Sequence, residues 1–349
     1  MVTIGVDLHK RTHTLVVADP AGRQLATKTV PATVAGHVDA LRWAKGWPER
    51  SWALEDCRHL SRRFEADLVR AGEAVVRVPP KLMAGARRAA RTRGKSDPID
   101  ALAVARAALR EPNLPVAQLE GVAREVQLLL DHREDLVAER TRIQNRLRWH
   151  LHELEPGNEP APRSLNRAWV LRALEARLAE SPGVVARLAS ALVARCRQLT
   201  AEITELEAEL ALRTIELAPS LLALPGCGVL TAAKLIGEVA GIGRFRSRAA
   251  FAMYNGTAPI SAWSGNPDRH RLNRSGNRQV NAALHRIAIT QMRLPGPGRD
   301  YFEHRRAEGD TKKEAIRLLR RRISDQVYRR LRLDEHRARP LADGLEAAA

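Results

Sequence analysis

The chain has 349 residues, enough for two domains and a sizeable core, and sets 58 Lys and Arg against 40 Asp and Glu for a formal charge of +18. That excess points to a polyanionic partner (DNA, RNA or an anionic membrane surface) and to binding that weakens steeply with salt. Three cysteines, Cys57, Cys196 and Cys227, stand too far apart for a zinc site and are odd in number, which argues against a disulfide framework, and no apolar run is long enough to span a bilayer.

The first segment alternates strand and helix signals. Val2–Val6 is a short apolar run followed by an acid, Thr12–Ala18 is β-rich and closes on Asp19-Pro-Ala-Gly22, and Gln24–Val30 reads as a third strand. Short connections make these three an antiparallel meander. A helix fits Val34–Trp43, a strand Ser51–Leu54, and a helix His59–Arg70, with Phe64 and Leu68 at helical spacing and Gly72 as its stop. Ala74–Val78 is a fifth strand and Pro98–Leu109 a further helix. The order β-β-β-α-β-α-β-α is that of an RNase H/RuvC-like α/β domain, in which a meander feeds a parallel extension.

Residues 118–155 change character. Val122, Val126, Leu129, Leu136, Ile143, Leu147 and Leu154 fall on a and d positions of one heptad frame, with Arg133, Arg140 and His150 in other core slots. A Pro/Gly break at 156–162 precedes a second stripe, Leu192, Cys196, Leu199, Ile203, Leu206 and Leu210. Two long helices about a break predict an antiparallel coiled-coil arm, packed internally or serving as a dimer surface. Residues 220–330 read as mostly helical, and the charged, small-residue stretch after Asp334 reads as a disordered tail.

Four acids stand where such a domain would gather them. Asp7 closes the first strand, Glu55 the fourth, and Asp97 and Asp100 open the last helix, three apart on one face. The first and fourth strands are neighbours in this fold, so the carboxylates converge and repel, and a divalent cation relieves the repulsion. Oxygen ligands favour Mg²⁺, with Mn²⁺ able to substitute, and two such ions can stabilise the attacking and leaving oxygens of a phosphate. Asp97-Pro-Ile-Asp100 is also a good helix start, with Asp97 as N-cap, Pro98 at N1 and an acid at N3. Asp56 follows Glu55 directly and is its alternative as a ligand.

In the last third, Leu224–Ile236 resembles a helix-hairpin-helix. Gly226 and Gly228 allow a tight turn, and the following helix, carrying Lys234, offers its N-terminus to a phosphate. The block Arg269, Arg271, Arg274 and Arg278 reads as phosphate-contacting. Thr311–Leu331 is a helix with Ile316, Leu319, Ile323 and Val327 on one face and Arg317, Arg320, Arg321, Arg329 and Arg330 over much of the rest.

Ile4-Gly-Val-Asp7-Leu-His-Lys10, Ala53-Leu-Glu55 and Lys95-Ser-Asp97-Pro-Ile-Asp100-Ala101 resemble the DEDD motif of transposases of the insertion sequence 110 family. The chain departs from the family in having Asp56-Cys57-Arg58, not small residues, after the glutamate. Tyr254–Gly265, His270–Arg278, Asn281 and His285 look like the C-terminal domain of the same family. Ser264, before a glycine, matches the family's nucleophilic serine, with Ser261 and then Ser275 as rivals. The resemblance spans about residues 2–332. It implies a recombinase that moves its own element through a phosphoserine link to DNA, a non-coding guide RNA that pairs with target and donor, and dimers that join into tetramers.

The expected organisation is a metal domain over 1–112, a helical arm over 113–217, a C-terminal transposase domain over 218–333 and a tail over 334–349. The chain opens on a strand-like run with no secretory signal, so a soluble, cytoplasmic, nucleoid-associated protein is expected. Two other readings remain at this point. One is a junction resolvase or RNase H-like nuclease that hydrolyses with metal-activated water; the other is a non-catalytic nucleic-acid binder whose acids are caps and surface charges.

Overall fold

A computed structural model describes residues 1–79, 82–83, 96–111, 114, 116–117, 121–261, 270–271, 273 and 276–346. The chain divides into two compact units, Met1–Glu120 and Gly121–Ala349.

The first unit holds β1 (Val2–Leu8), β2 (Thr12–Ala18), β3 (Gln24–Pro31), α1 (Val34–Ala44), β4 (Arg50–Glu55), α2 (Arg58–Arg70), β5 (Val75–Val78) and α3 (Asp97–Arg110). One five-stranded sheet runs β3-β2-β1-β4-β5. β1 pairs antiparallel with β2 and β2 with β3, whereas β1–β4 and β4–β5 are parallel. This is the expected meander with its parallel extension. The turn after β2 works as read: Asp19 accepts from the Arg23 amide, and Gly22 adopts φ +76°.

Side-chain alternation divides the sheet between two cores. Ile4, Val6 and Leu8 of β1, with Leu15, Val17, Trp52 and Leu54, pack on Phe64 and Leu68 of α2. Ala53 and Val78 face the other way, onto Ala103, Val104 and Ala107 of α3. The acids expected at the ends of β1 and β4 belong to this second face.

The second unit holds α4 (Gly121–Leu154), a 3₁₀ turn (Ser164–Asn166), α5 (Ala168–Ala179), α6 (Val184–Leu217), α7 (Pro219–Leu222), α8 (Val229–Val239), a second 3₁₀ turn (Ile242–Arg244), α9 (Arg248–Tyr254), an antiparallel pair of two-residue strands, β6 (Ile260–Ser261) and β7 (His270–Arg271), α10 (Arg278–Arg293), α11 (Pro297–Ala307) and α12 (Lys312–Glu346). Ion pairs Glu125–Arg213, Arg133–Glu207 and Glu139–Arg195 set α4 and α6 antiparallel, because the numbers fall along one helix as they rise along the other.

Three expectations change. The heptad frame on α4 is too narrow: Val122 is 46% exposed and Leu129 half-buried, while Leu130 and Leu151 are buried. The helix packs on α6 and also on α8, so its buried face is wider than one seam. The arm is not a separate domain, since Val126, Leu130 and Leu210, at the roots of α4 and α6, share one core with Leu235, Phe251, Leu284 and Ile323. The tail expected from Asp334 continues α12 as helix to Glu346. Asp334 is buried and accepts from the Ser220 and Leu221 amides at 3.0 and 3.2 Å, capping α7. Charge there serves a packed partner, which composition alone does not reveal. The predicted inner face of α12, Ile316, Leu319, Ile323 and Val327, is buried throughout. Among the described residues, no helix is long and apolar enough to cross a membrane.

Candidate functional site

The acidic site begins with a glycine. A Cβ on Gly5 would lie 2.1 Å from the Ala101 carbonyl oxygen and 2.6 Å from the Ala105 amide. α3 therefore rests directly on β1, small residue against small residue. That close approach brings the first turn of α3, with Asp97 and Asp100, toward Asp7, two residues beyond Gly5 on the same face of the strand.

At this point Asp7 is buried, and its Oδ2 accepts from His9 Nε2 at 3.0 Å. The same nitrogen lies 3.5 Å from Asp97 Oδ1. Donor atoms of Asp7, His9 and Asp97 all fall within 4.8 Å of one another. Asp100, buried one turn along α3, and Asp97 both act on Asp7: burial pushes the Asp7 carboxyl above its ordinary value, His9 opposes this, and the two neighbouring carboxylates add to the rise. Such crowding of like charge is what a bound cation relieves, so the donor set fits a divalent ion. It departs from the expected all-oxygen set by one imidazole.

Glu55 closes β4 one step past the last paired residues, Val6 and Leu54, which sets it beside Asp7. Its carboxylate accepts from the Cys57 thiol, which burial together with Glu55, Asp56 and Asp7 pushes up to about 11. Strand alternation gives Glu55 the face of Ala53 and Asp7. The capping expectation for Asp97 shifts by one residue. Ser96 is the N-cap without a side-chain bond, Asp97 is the first helical residue and Pro98 follows, so the Asp97 side chain, 54% exposed, points toward His9 without capping the helix. Sequence reasoning misses His9 and Gly5 as site residues. Their signal is present: His9 stands two residues after Asp7, just past the end of β1, and a mid-strand glycine marks close backbone approach.

In the second unit, a polar clamp joins the ends of the segment that separates Ser261 from Gly276. Asn255 is fully buried, donates to Ser324 Oγ at 2.8 Å, and accepts from both the amide and the hydroxyl of Thr257. Asn281 donates to the Asn255 carbonyl at 2.8 Å. Asn277 donates to Glu238 and to the Tyr254 hydroxyl, and its own oxygen caps α10. Ser261 is exposed on β6. Ser264, Arg269, Arg274 and Ser275 lie outside the described residues.

A family model described as Transposase, for the DEDD transposases of IS110, matches residues 4–156, and one described as Transposase IS116/IS110/IS902 family matches residues 218–303. The chain is 30% identical over 284 positions to the insertion element IS110 uncharacterized 43.6 kDa protein of Streptomyces coelicolor, covering 66% of this chain and 69% of that one. It belongs to the IS110 family of transposases. The insertion element IS116 uncharacterized 44.8 kDa protein of Streptomyces clavuligerus is 28% identical over 95% of this chain and 94% of its own. The insertion element IS900 uncharacterized 42 kDa protein of Mycobacterium paratuberculosis is 26% identical over 95% and 96%. A solved structure of T. thermophilus RuvC in complex with Holliday junction substrate is 17% identical over 34% of this chain and 99% of that chain, at a TM-score of 0.27, too low to bear on the fold.

In this transposase the expected nucleic-acid contacts fare differently. Gly226 takes φ +83° and leaves about 3 Å to Thr290 and Ile287 of α10, so the glycine serves both the turn and the packing. Gly228 is the N-cap of α8, and a groove of about 480 Å³ runs along residues 222–228. Lys234 is a correction. Its side chain is 5% exposed and ion-paired to Glu134 at 2.9 Å and Asp131 at 3.7 Å, so it secures α8 to α4 and does not reach for a phosphate. Helical spacing puts Lys234 near the turn, but the partner carboxylates lie 100 residues earlier. Arg271 lies in β7, and Arg278 is the exposed first residue of α10.

Proposed function

We propose that this transposase cuts and rejoins DNA with a divalent-metal site of Asp7, Glu55, Asp97 and Asp100, joined by His9, and with Ser264 as nucleophile. The observation that carries the reading is the convergence of Asp7, His9 and Asp97, with Asp7 further burdened by Asp100. Mg²⁺, or Mn²⁺ in its place, would supply charge stabilisation at the scissile phosphate. The chain's own part is to hold that charge against β1 and to present the hydroxyl. Ser264 Oγ loses its proton and bonds to phosphorus while a sugar oxygen leaves and takes up a proton. A hydroxyl from the second strand then displaces the serine and restores the backbone. Glu55 is preferred over Asp56 because it follows the strand alternation that Asp7 obeys.

Family membership further suggests a non-coding guide RNA and a dimer that pairs into a tetramer, with the α4–α6 arm as the gripping or assembling element. Soluble, nucleoid-associated action fits a DNA substrate and a charge of +18.

Two experiments test this. In calorimetry, Asp7→Asn abolishes Mg²⁺ and Mn²⁺ binding that the parent shows; retained binding refutes the metal site. On a suicide DNA substrate, the parent accumulates a covalent protein–DNA adduct and Ser264→Ala does not. Persistence of the adduct in that variant removes Ser264 from the mechanism, and free phosphate ends without any adduct in the parent would favour hydrolysis by water.

A further inference from the structure

α10 and α12 pack side by side, and a cavity of about 430 Å³ opens between them. Arg278, Asn281 and His285 line it from α10; Lys313, Arg317 and Arg320 line it from α12. Among its described lining residues there is no carboxylate. We propose that this cavity seats a backbone phosphate of a nucleic-acid strand.

The site is built around Arg320. Its guanidinium donates to Asn281 Oδ1 at 3.0 Å, and Asn281 is itself anchored through its amide to the Asn255 carbonyl. The Arg320 Nε is buried with no hydrogen-bond partner. Burial and then the nearby Arg317 disfavour the charged form of Arg320; burial and then Arg320 do the same to His285. Four cationic side chains and a histidine are thus drawn together, Arg320 and His285 partly desolvated and Arg278, Lys313 and Arg317 open to solvent, with no acid in the described cavity wall. A phosphodiester supplies the missing charge and offers oxygens to the guanidinium, for which arginine is suited. Arg278, the exposed first residue of a 16-residue helix whose amides are already capped by Asn277, contributes its guanidinium to the cavity wall.

The neighbouring cavity shows the contrast. It shares Arg317 and Arg320 but is also lined by Asp310 and Glu314, and its Arg305 is already paired with Asp310. Glu314 is drawn toward its ionised form mainly by Thr311, with a smaller contribution from Arg317. Lys313 and Arg317 are exposed, so an incoming strand reaches them without rearrangement of the helix.

That the ligand is nucleic acid rests on the transposase reading; the cavity's preference for an oxyanion does not. The test uses the full chain carrying Asp7→Asn, in which no cleavage disturbs binding. Labelled duplex DNA and labelled single-stranded RNA are titrated by anisotropy over a series of salt concentrations. Lys313→Gln and Arg317→Gln, both at exposed positions that spare the fold, should each lower the slope of log K against log salt by about 0.9 for duplex DNA or about 0.7 for a single strand. Arg299→Gln, an exposed arginine already paired with Glu303, should leave it unchanged. A drop confined to DNA or to RNA identifies the strand that sits there. Unchanged slopes with both nucleic acids, in variants that melt like their parent, overturn the proposal. Because binding alone is read, failure of Ser264 or of the metal site to act as proposed leaves this result independent.

Discussion

Gly5→Ala is the sharpest perturbation of the metal site that touches no ligand. The new methyl carbon would stand 2.1 Å from the Ala101 carbonyl oxygen, 2.6 Å from the Ala105 amide and 2.8 Å from the Ala105 Cβ. These are backbone or near-backbone atoms that no rotamer change can withdraw, so α3 itself must lift. Restoring 3.4 Å of ordinary contact requires a retreat of about 1.3 Å. Overpacking of this kind costs about 1–3 kcal/mol. α3 moves as a unit, and Asp100 immediately precedes Ala101, so Asp97 and Asp100 withdraw from Asp7 by a comparable distance. Metal sites tolerate about 0.2 Å in ligand distance. Thermal melting should fall by about 4 °C or more, and calorimetry should show Mn²⁺ binding weakened at least about tenfold. Gly46→Ala is the control, since its Cβ would meet the Trp43 carbonyl only at 3.5 Å. A Gly5→Ala protein that melts and binds the ion like its parent would refute the claim that contact between α3 and β1 assembles the site.

Three further outcomes are expected. Burial, and then the charge of His37, lowers the His13 pKa from 6.5 to about 4, so the unfolded chain takes up a proton that the folded chain refuses. Stability is therefore full above about pH 6.5 and falls by about 3 kcal/mol as the pH drops toward 4; urea unfolding across that window should show the loss, and His13→Phe should flatten it. Lys234→Met should destabilise the second unit by about 1 kcal/mol, because Glu134 and Asp131 lose their partner but are half-exposed to water; the salt dependence of DNA binding should not change, and a fall in its slope would restore Lys234 as a phosphate contact. Asn255→Ala leaves the Ser324 hydroxyl and the Thr257 amide without their buried partner, and should lower stability by about 2 kcal/mol in thermal melts.

Much of the first unit is legible from local pattern. The strands of the meander are close to each other in the chain, and the helices that cover the sheet carry their apolar residues at helical spacing, so spacing alone puts Phe64 and Leu68 on an inward face, and both are fully buried. The acids are legible for the same reason: strand ends and a helix start are local features. What stays hidden depends on which surface meets which. The frame on α4 misplaces Val122 and Leu130 because periodicity shows that a helix has an apolar face, not how many neighbours cover it. Lys234 reads as a phosphate ligand because nothing near it in sequence reveals Glu134 and Asp131. The stretch after Asp334 reads as a tail because its charges find their partners at Ser220, Leu221 and Gly243, about a hundred residues away.

By itself the sequence determined the strand and helix order, the acids that end those elements, the basic charge and the family. Each is carried by neighbours along the chain or by residue identity. Tertiary structure alone decided that Gly5 lets α3 lie on β1, that His9 stands between Asp7 and Asp97, and that α10 and α12 enclose a cationic cavity with no acid among its described lining residues. Those features depend on the distance between surfaces remote in sequence, which steric fit and charge compensation settle only when the chain has packed.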